Sequence, residues 1–329
     1  MDPHQFLTMS RVVIVAGKGG VGKTVVSAVL ARAASLTGLT TLIVEVEGRG
    51  GVARTFGLES LGYEESTMSP ADSPSGAAEI LARTLTPDDA LLEYFADHGM
   101  KRVSKRLVST GVIDVVATST PGIKDILILG KVKQLAARDD LDLVVLDAPA
   151  SGHAITFLQS ARAILDTVNV GPIRSQAEDV SELLEDHERC QVMLVALPEE
   201  TPVNELVETA FSLEDRVGVS LTPLVLNGLL SRLPGLDTPL SKATKQAGAA
   251  RIAGHERASL EAAASFRRDR QAMQQAQVAR LAETLPLPQF HLPFLFDQDL
   301  GPTAIDELAH RLLESITALD AEAVTGAPQ

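Results

Sequence analysis

Val12-Val13-Ile14-Val15-Ala16 runs straight into Gly17-Lys18-Gly19-Gly20-Val21-Gly22-Lys23-Thr24, and Val25–Thr37, rich in alanine and leucine, follows before Gly38. Five consecutive apolar, mostly β-branched residues have the character of a strand buried on both faces. The octapeptide satisfies G-x-x-x-x-G-K-[ST], and the segment after it predicts a helix closed by a glycine cap. A strand, a glycine-rich loop and a helix in that order form an anion cradle. The glycines let several backbone N–H groups crowd round a phosphate, and the helix N-terminus adds partial positive charge. Lys23 is placed to reach β- and γ-phosphate oxygens and the Thr24 hydroxyl to ligate Mg²⁺, so ATP with Mg²⁺ is the expected ligand.

Working outward, short apolar runs recur at Thr41–Val46, Leu143–Leu146, Val192–Leu197 and Thr222–Leu226, with a weaker one at Gln289–Leu292. They lack the alternation of half-exposed strands and are separated by helical spacing, which predicts an α/β fold with a doubly wound, mainly parallel sheet. Residues 60–76, rich in Ser, Pro and Gly, are expected as a mobile loop. Residues 77–137 read as mostly helical, including a helix over Ile80–Leu92, and so as a helical insertion between the second and third strands. Residues 241–285 form a long helical stretch with few large apolar side chains, and 318–329 a flexible tail. One domain over 1–329 is expected, with 60–137 as its cargo or partner subdomain.

Composition narrows the function. The chain has 329 residues, of which 43 are acidic and 29 basic, a formal net charge of −14. Nucleic-acid binding needs a dense basic face, so such partners are not expected. The single cysteine, Cys190, excludes an internal disulfide framework and reads as a small core residue opening a strand. No apolar run approaches the ~20 residues of a membrane helix, so no stable membrane insertion is expected. The opening MDPHQFLTMS has neither a basic start nor an apolar stretch, and the expected location is cytoplasmic.

A second motif follows the third run: Asp147-Ala148-Pro149-Ala150-Ser151-Gly152-His153. A carboxylate at the C-terminal end of a buried parallel strand faces the ligand crevice of a doubly wound sheet, where it can hold Mg²⁺ through water. Gly152 permits a backbone N–H to approach the γ-phosphate, and His153 is a candidate γ-phosphate sensor.

The form GKGGVGKT, with Lys18 at its second position, resembles the deviant phosphate loop of the ParA/MinD/ArsA-like ATPases. Asp147 to His153 resembles the D-T-A-P-T-G-H switch of one branch, the arsenite-pump and guided-entry targeting ATPases. The resemblance implies an ATP-hydrolysing enzyme in which Lys18 crosses a dimer interface to the partner's nucleotide and closure of the dimer binds or releases a protein cargo. It also matches Pro121-Gly122 to the family's P-G element, Asn227 to the adenine-reading asparagine, and His291–Phe296, with Pro293 and Phe294, to the loop covering the base. Residues 11–313 carry the likeness, most specifically at the phosphate loop and the second switch.

The departures are informative. Where the family's first switch begins D-P-A-H, 24 positions after the phosphate-loop lysine, this chain has Glu47-Gly48-Arg49-Gly50-Gly51. Glu47 is the expected catalytic carboxylate but is one methylene longer than aspartate, which predicts slow hydrolysis; Glu45, on the same side of the strand, could take the role. There is no CxxC pair for a zinc-clamped dimer, no cysteine cluster for arsenic and no methionine-rich helix for a transmembrane cargo. The expected assembly is a homodimer or a heterodimer with a paralogous ATPase. The alternatives are a nucleotide-dependent regulatory scaffold and a ParA/MinD-like positioning ATPase.

Overall fold

A computed structural model describes residues 1–46, 50–72, 74–97, 122–149, 151–246, 254–297 and 299–319, with 94–97, 151–153 and 246 described by backbone only. Glu47, Gly48, Arg49, Pro121, the middle of the expected insertion and the end of the tail lie outside them, as do the side chains of Gly152 and His153.

The strand Val12–Ala16 (β1) is central, and its alternate residues divide the core. Val12, Ile14 and Ala16 pack on one face of the sheet against helices Ile123–Ala136 (α5), Ser151–Thr167 (α6), Pro172–Glu185 (α7) and Glu200–Val217 (α8). Val13 and Val15 pack on the other against Lys23–Leu36 (α2) and Pro302–Thr317 (α11), with Pro3–Leu7 (α1) beside them. Burial on both faces is why these runs are apolar without alternation.

Beside β1 lie Leu143–Asp147 (β5) and Cys190–Ala196 (β6), both parallel to it. Thr41–Val46 (β2) pairs in parallel with β5, and Leu224–Leu229 (β8) and Gln289–Pro293 (β9) continue the sheet beyond β6. The two-residue strand Ser220–Leu221 (β7) also joins β6. The fold class expected from the sequence is the one observed, an α/β phosphate-loop fold with a mainly parallel sheet.

The region after β2 differs from the reading of the sequence. Ser66–Ser69 (β3), inside the stretch expected as a loop, and Ile80–Leu85 (β4), expected in a helix, are strands. β4 pairs in parallel with β2, and β3 closes that edge antiparallel. Helix therefore begins only at Pro87–Asp97 (α4), so the expected Ile80–Leu92 helix is corrected to a strand followed by a helix. The misreading has a physical source: Arg83 interrupts the apolar run yet is buried, paired to Glu65 at 3.8 Å and lying 4.3 Å from the centre of the Tyr63 ring. A local pattern cannot supply those partners.

Within the long helical stretch the described residues include the helices Leu240–Gln246 (α9) and Gly254–Thr284 (α10). Among described residues of α10 only Gln274 and Leu281 are buried. Gln274 compensates for the missing apolar stripe by accepting from Leu230 N–H at 2.8 Å and donating to Gly228 C=O at 3.2 Å. Cys190 is fully buried at the start of β6, and burial pushes its thiol up to about 12. Among the described residues no helix is long and apolar enough to cross a membrane.

Phe290 of β9 is fully buried and packs edge-on against Phe6, with ring centres 5.6 Å apart. Phe290→Ala should remove about 3–5 kcal/mol of stability. A urea midpoint within error of wild type would contradict this account of the β9 edge.

Candidate functional site

The parallel register brings the site together. Val15 of β1 and Glu45 of β2 both pair with Asp147 of β5, so the C-terminal ends of three strands lie level. The phosphate loop begins at this level, two residues beyond Val15. Gly17 is required there: its φ is +156°, and a Cβ would sit 2.3 Å from the Val195 carbonyl oxygen of β6. Gly22, at φ +91°, enters α2; a Cβ on it would lie 2.2 Å from Asn227 Nδ2.

A cavity of about 590 Å³ opens here, lined by Gly19, Gly20, Gly22, Lys23 and Thr24 together with Glu45, Arg54, Asp125 and Asp147. Lys23 Nζ donates to the Lys18 carbonyl at 3.2 Å, across the loop it belongs to. The Thr24 hydroxyl donates to Asp147 Oδ2 at 2.7 Å, and Ser27 lies 3.4 Å from Oδ1. Asp147 is buried, and that burial pushes its carboxyl up to about 6; Thr24 and Lys23 hold it back and Glu45 adds to the rise. Glu45, 4% exposed, accepts from Gly51 N–H at 2.9 Å through Oε1. Its Oε2 is buried without a partner among the described residues.

Two buried carboxylates, one with an orphaned oxygen, and a threonine hydroxyl at the same corner are the donor set of a hard divalent cation. The residues fit Mg²⁺.

Of the expected site residues, the structure brings Gly17, Gly19, Gly20, Val21, Gly22, Lys23, Thr24 and Asp147 into one place. Asn227 joins them at the loop, donating to the Val21 carbonyl at 2.9 Å. Pro293 ends β9, and Phe294 follows it, half exposed and stacked edge-on with Phe296 at 4.9 Å. Lys18 points elsewhere, in an ion pair with Glu205 of α8, and does not line the cavity. Glu45 lines it, as its side of the strand allowed. Arg54, on the short helix Gly51–Thr55 (α3), and Asp125, in the first turn of α5, escaped the sequence reading. The signal for Arg54 was its place just after the turn that leaves a central strand at the crevice end.

Residues 10–169 match the family described as anion-transporting ATPases. The ATPase BagA of Mycobacterium tuberculosis is 34% identical over 207 residues, covering 60% of this chain and 59% of that protein. A putative arsenical pump-driving ATPase of Halobacterium salinarum is 26% identical over 240 residues, 67% of this chain and 36% of that one. The ATPase get3 of Schizosaccharomyces japonicus is 25% identical over 146 residues, 44% and 42% of the two chains. The chain thus spans less than two thirds of the length of each of these relatives.

The Asp147 carboxyl rises from 3.8 to about 6 on folding, so the fold favours its protonated form. Its stabilising contribution is present below the unfolded value and is lost as pH rises through the folded one. At pH 7 without divalent cation the buried charge costs up to about 3 kcal/mol. Asp147→Asn should therefore raise the urea midpoint in EDTA at pH 7 and flatten its decline between pH 4 and 7. A less stable variant at pH 7 would contradict the burial argument.

Proposed function

We propose that this chain, whose residues 10–169 match the anion-transporting ATPase family, binds ATP with Mg²⁺ at Gly17–Thr24, hydrolyses it, and uses the cycle to close and open a dimer that holds a protein cargo. The observation that carries the reading is the Thr24–Asp147 hydrogen bond at the floor of a cavity walled by the phosphate loop. Loop N–H groups and Lys23 would hold the β- and γ-phosphates, with Asn227 and the segment around Pro293 and Phe294 on the base side. Thr24 and Asp147 would hold Mg²⁺, which when bound would neutralise charge on the terminal phosphates. Gly152 and His153, at the start of α6, would face the γ-phosphate.

Glu47, outside the described residues, is the sequence's candidate for orienting the attacking water. The burial of Glu45 in the cavity wall, with a free Oε2, supports Glu45 sharing or taking that task. Residues 1–329 are taken as one unit because β1 to β9 form one sheet and α11, near the end of the described chain, packs on α2. Of the 60–137 segment, the described strands β3 and β4 form the sheet edge opposite β9, and the segment would carry the cargo or partner surface.

Lys23→Ala should abolish ATP binding, because it removes the cation set against the phosphates. Unchanged affinity by calorimetry would refute the site. Dimer closure is read by light scattering with a non-hydrolysable ATP analogue. Lys18→Ala should lower both the dimer fraction and turnover, and undiminished values would remove the role of Lys18 across the interface.

A further inference from the structure

Lys18 pairs with Glu205 and does not line the cavity, so the charges lining the cavity come from other residues. The lining holds three carboxylates, Glu45, Asp125 and Asp147, against two cations among the described residues, Lys23 and Arg54. ATP would add several negative charges to that wall, and hydrolysis shifts further charge onto the leaving phosphates. The placement of Arg54 answers this need.

Three features hold it there. The N–H of Gly51, the first residue of α3, is tied to Glu45 Oε1 at 2.9 Å. The same glycine lies so close to the phosphate loop that a Cβ would meet Thr24 Cγ2 at 2.9 Å, so the start of α3 is seated against the proposed metal corner. Arg54 Nε donates to the Gly50 carbonyl at 3.2 Å, which anchors the inner corner of the guanidinium and leaves both Nη groups for a ligand. Arg54 is exposed and makes no ion pair among the described residues.

Building on the ATPase reading above, we propose that Arg54 is a cis-acting catalytic arginine that contacts the terminal phosphate of bound ATP. In the step it serves, a water oxygen bonds to the γ-phosphorus while the bond from that phosphorus to the β–γ bridging oxygen breaks. The electron pair stays on the β-phosphate of ADP, phosphate departs, and one water proton leaves to solvent. The Nη groups of Arg54 take up the charge building on the bridging and γ-oxygens. A planar fork with two free amino groups suits two phosphate oxygens at once, which a lysine cannot match.

The test compares the full chain with Arg54→Ala and Arg54→Lys. Affinities for ADP and for a non-hydrolysable ATP analogue, steady-state turnover, and trapping of ADP with aluminium fluoride are measured with Mg²⁺ present. Arg54→Ala should keep ADP affinity within about threefold, lose ~100-fold or more in kcat, and fail to trap ADP–aluminium fluoride. Arg54→Lys should recover only part of the trapping. Because the side chain is exposed, the melting temperature of both variants should match wild type, separating the effect from folding. An alanine variant that traps the analogue and turns over within twofold of wild type would overturn the assignment and leave the ATPase reading standing. A wild-type chain that neither prefers the ATP analogue to ADP nor traps aluminium fluoride would overturn both.

Discussion

The site depends on the register of three parallel strands. Because Val15, Glu45 and Asp147 stand at one level across β1, β2 and β5, the strand ends form a shelf on which the phosphate loop turns. A slip of one residue in β5 would send Asp147 to the opposite face of the sheet and exchange its partners. The register is fixed in turn by burial on both faces, since each strand places alternating apolar residues in two separate cores. The Thr24–Asp147 hydrogen bond of 2.7 Å joins the phosphate loop's helix to that shelf.

That shelf is electrostatically costly. Asp147 and Glu45 are both buried and adjacent in register, and Glu45 Oε2 has no hydrogen-bond partner among the described residues. Nothing in the apolar packing requires acids there; branched aliphatic residues would suit such strand ends better. Carboxylates held against their preference for water mark a place that expects positive charge, and they make the unliganded protein less stable than it need be.

How much of this was legible in the sequence follows from how local each feature is. The phosphate loop, β1 and α2 were readable because each is specified by its own residues: glycines for left-handed backbone, β-branched residues for the strand, alanine and leucine for the helix. Asp147 was readable because it ends a strand. β3 and β4 were not, since Ser66–Ser69 looks like a turn and Arg83 breaks the apolar run of Ile80–Leu85. Only the fold supplies Glu65 and the Tyr63 ring that make a buried arginine tolerable. Arg54 was missed because its place after the turn leaving β2 marks only the crevice end, and it is α3 that carries it to the cavity wall. The engagement of Asn227 by the Val21 carbonyl is likewise a long-range contact, and it ties the far half of the sheet to the loop.

The Lys18–Glu205 pair bears on how a second subunit could matter. Their side chains are 40% and 35% exposed, so water screens the attraction and the pair is worth ~1 kcal/mol at most. A hold that weak is easily exchanged. In a closed dimer the phosphates of a partner's nucleotide would present several charges to the Lys18 ammonium, and excluding water there would strengthen the attraction. Glu205 would hold Lys18 in the single chain at almost no energetic cost to the closed state. The lysine could then serve the partner's nucleotide while Arg54 serves the chain's own, two cations divided between two sites by geometry instead of competing for one.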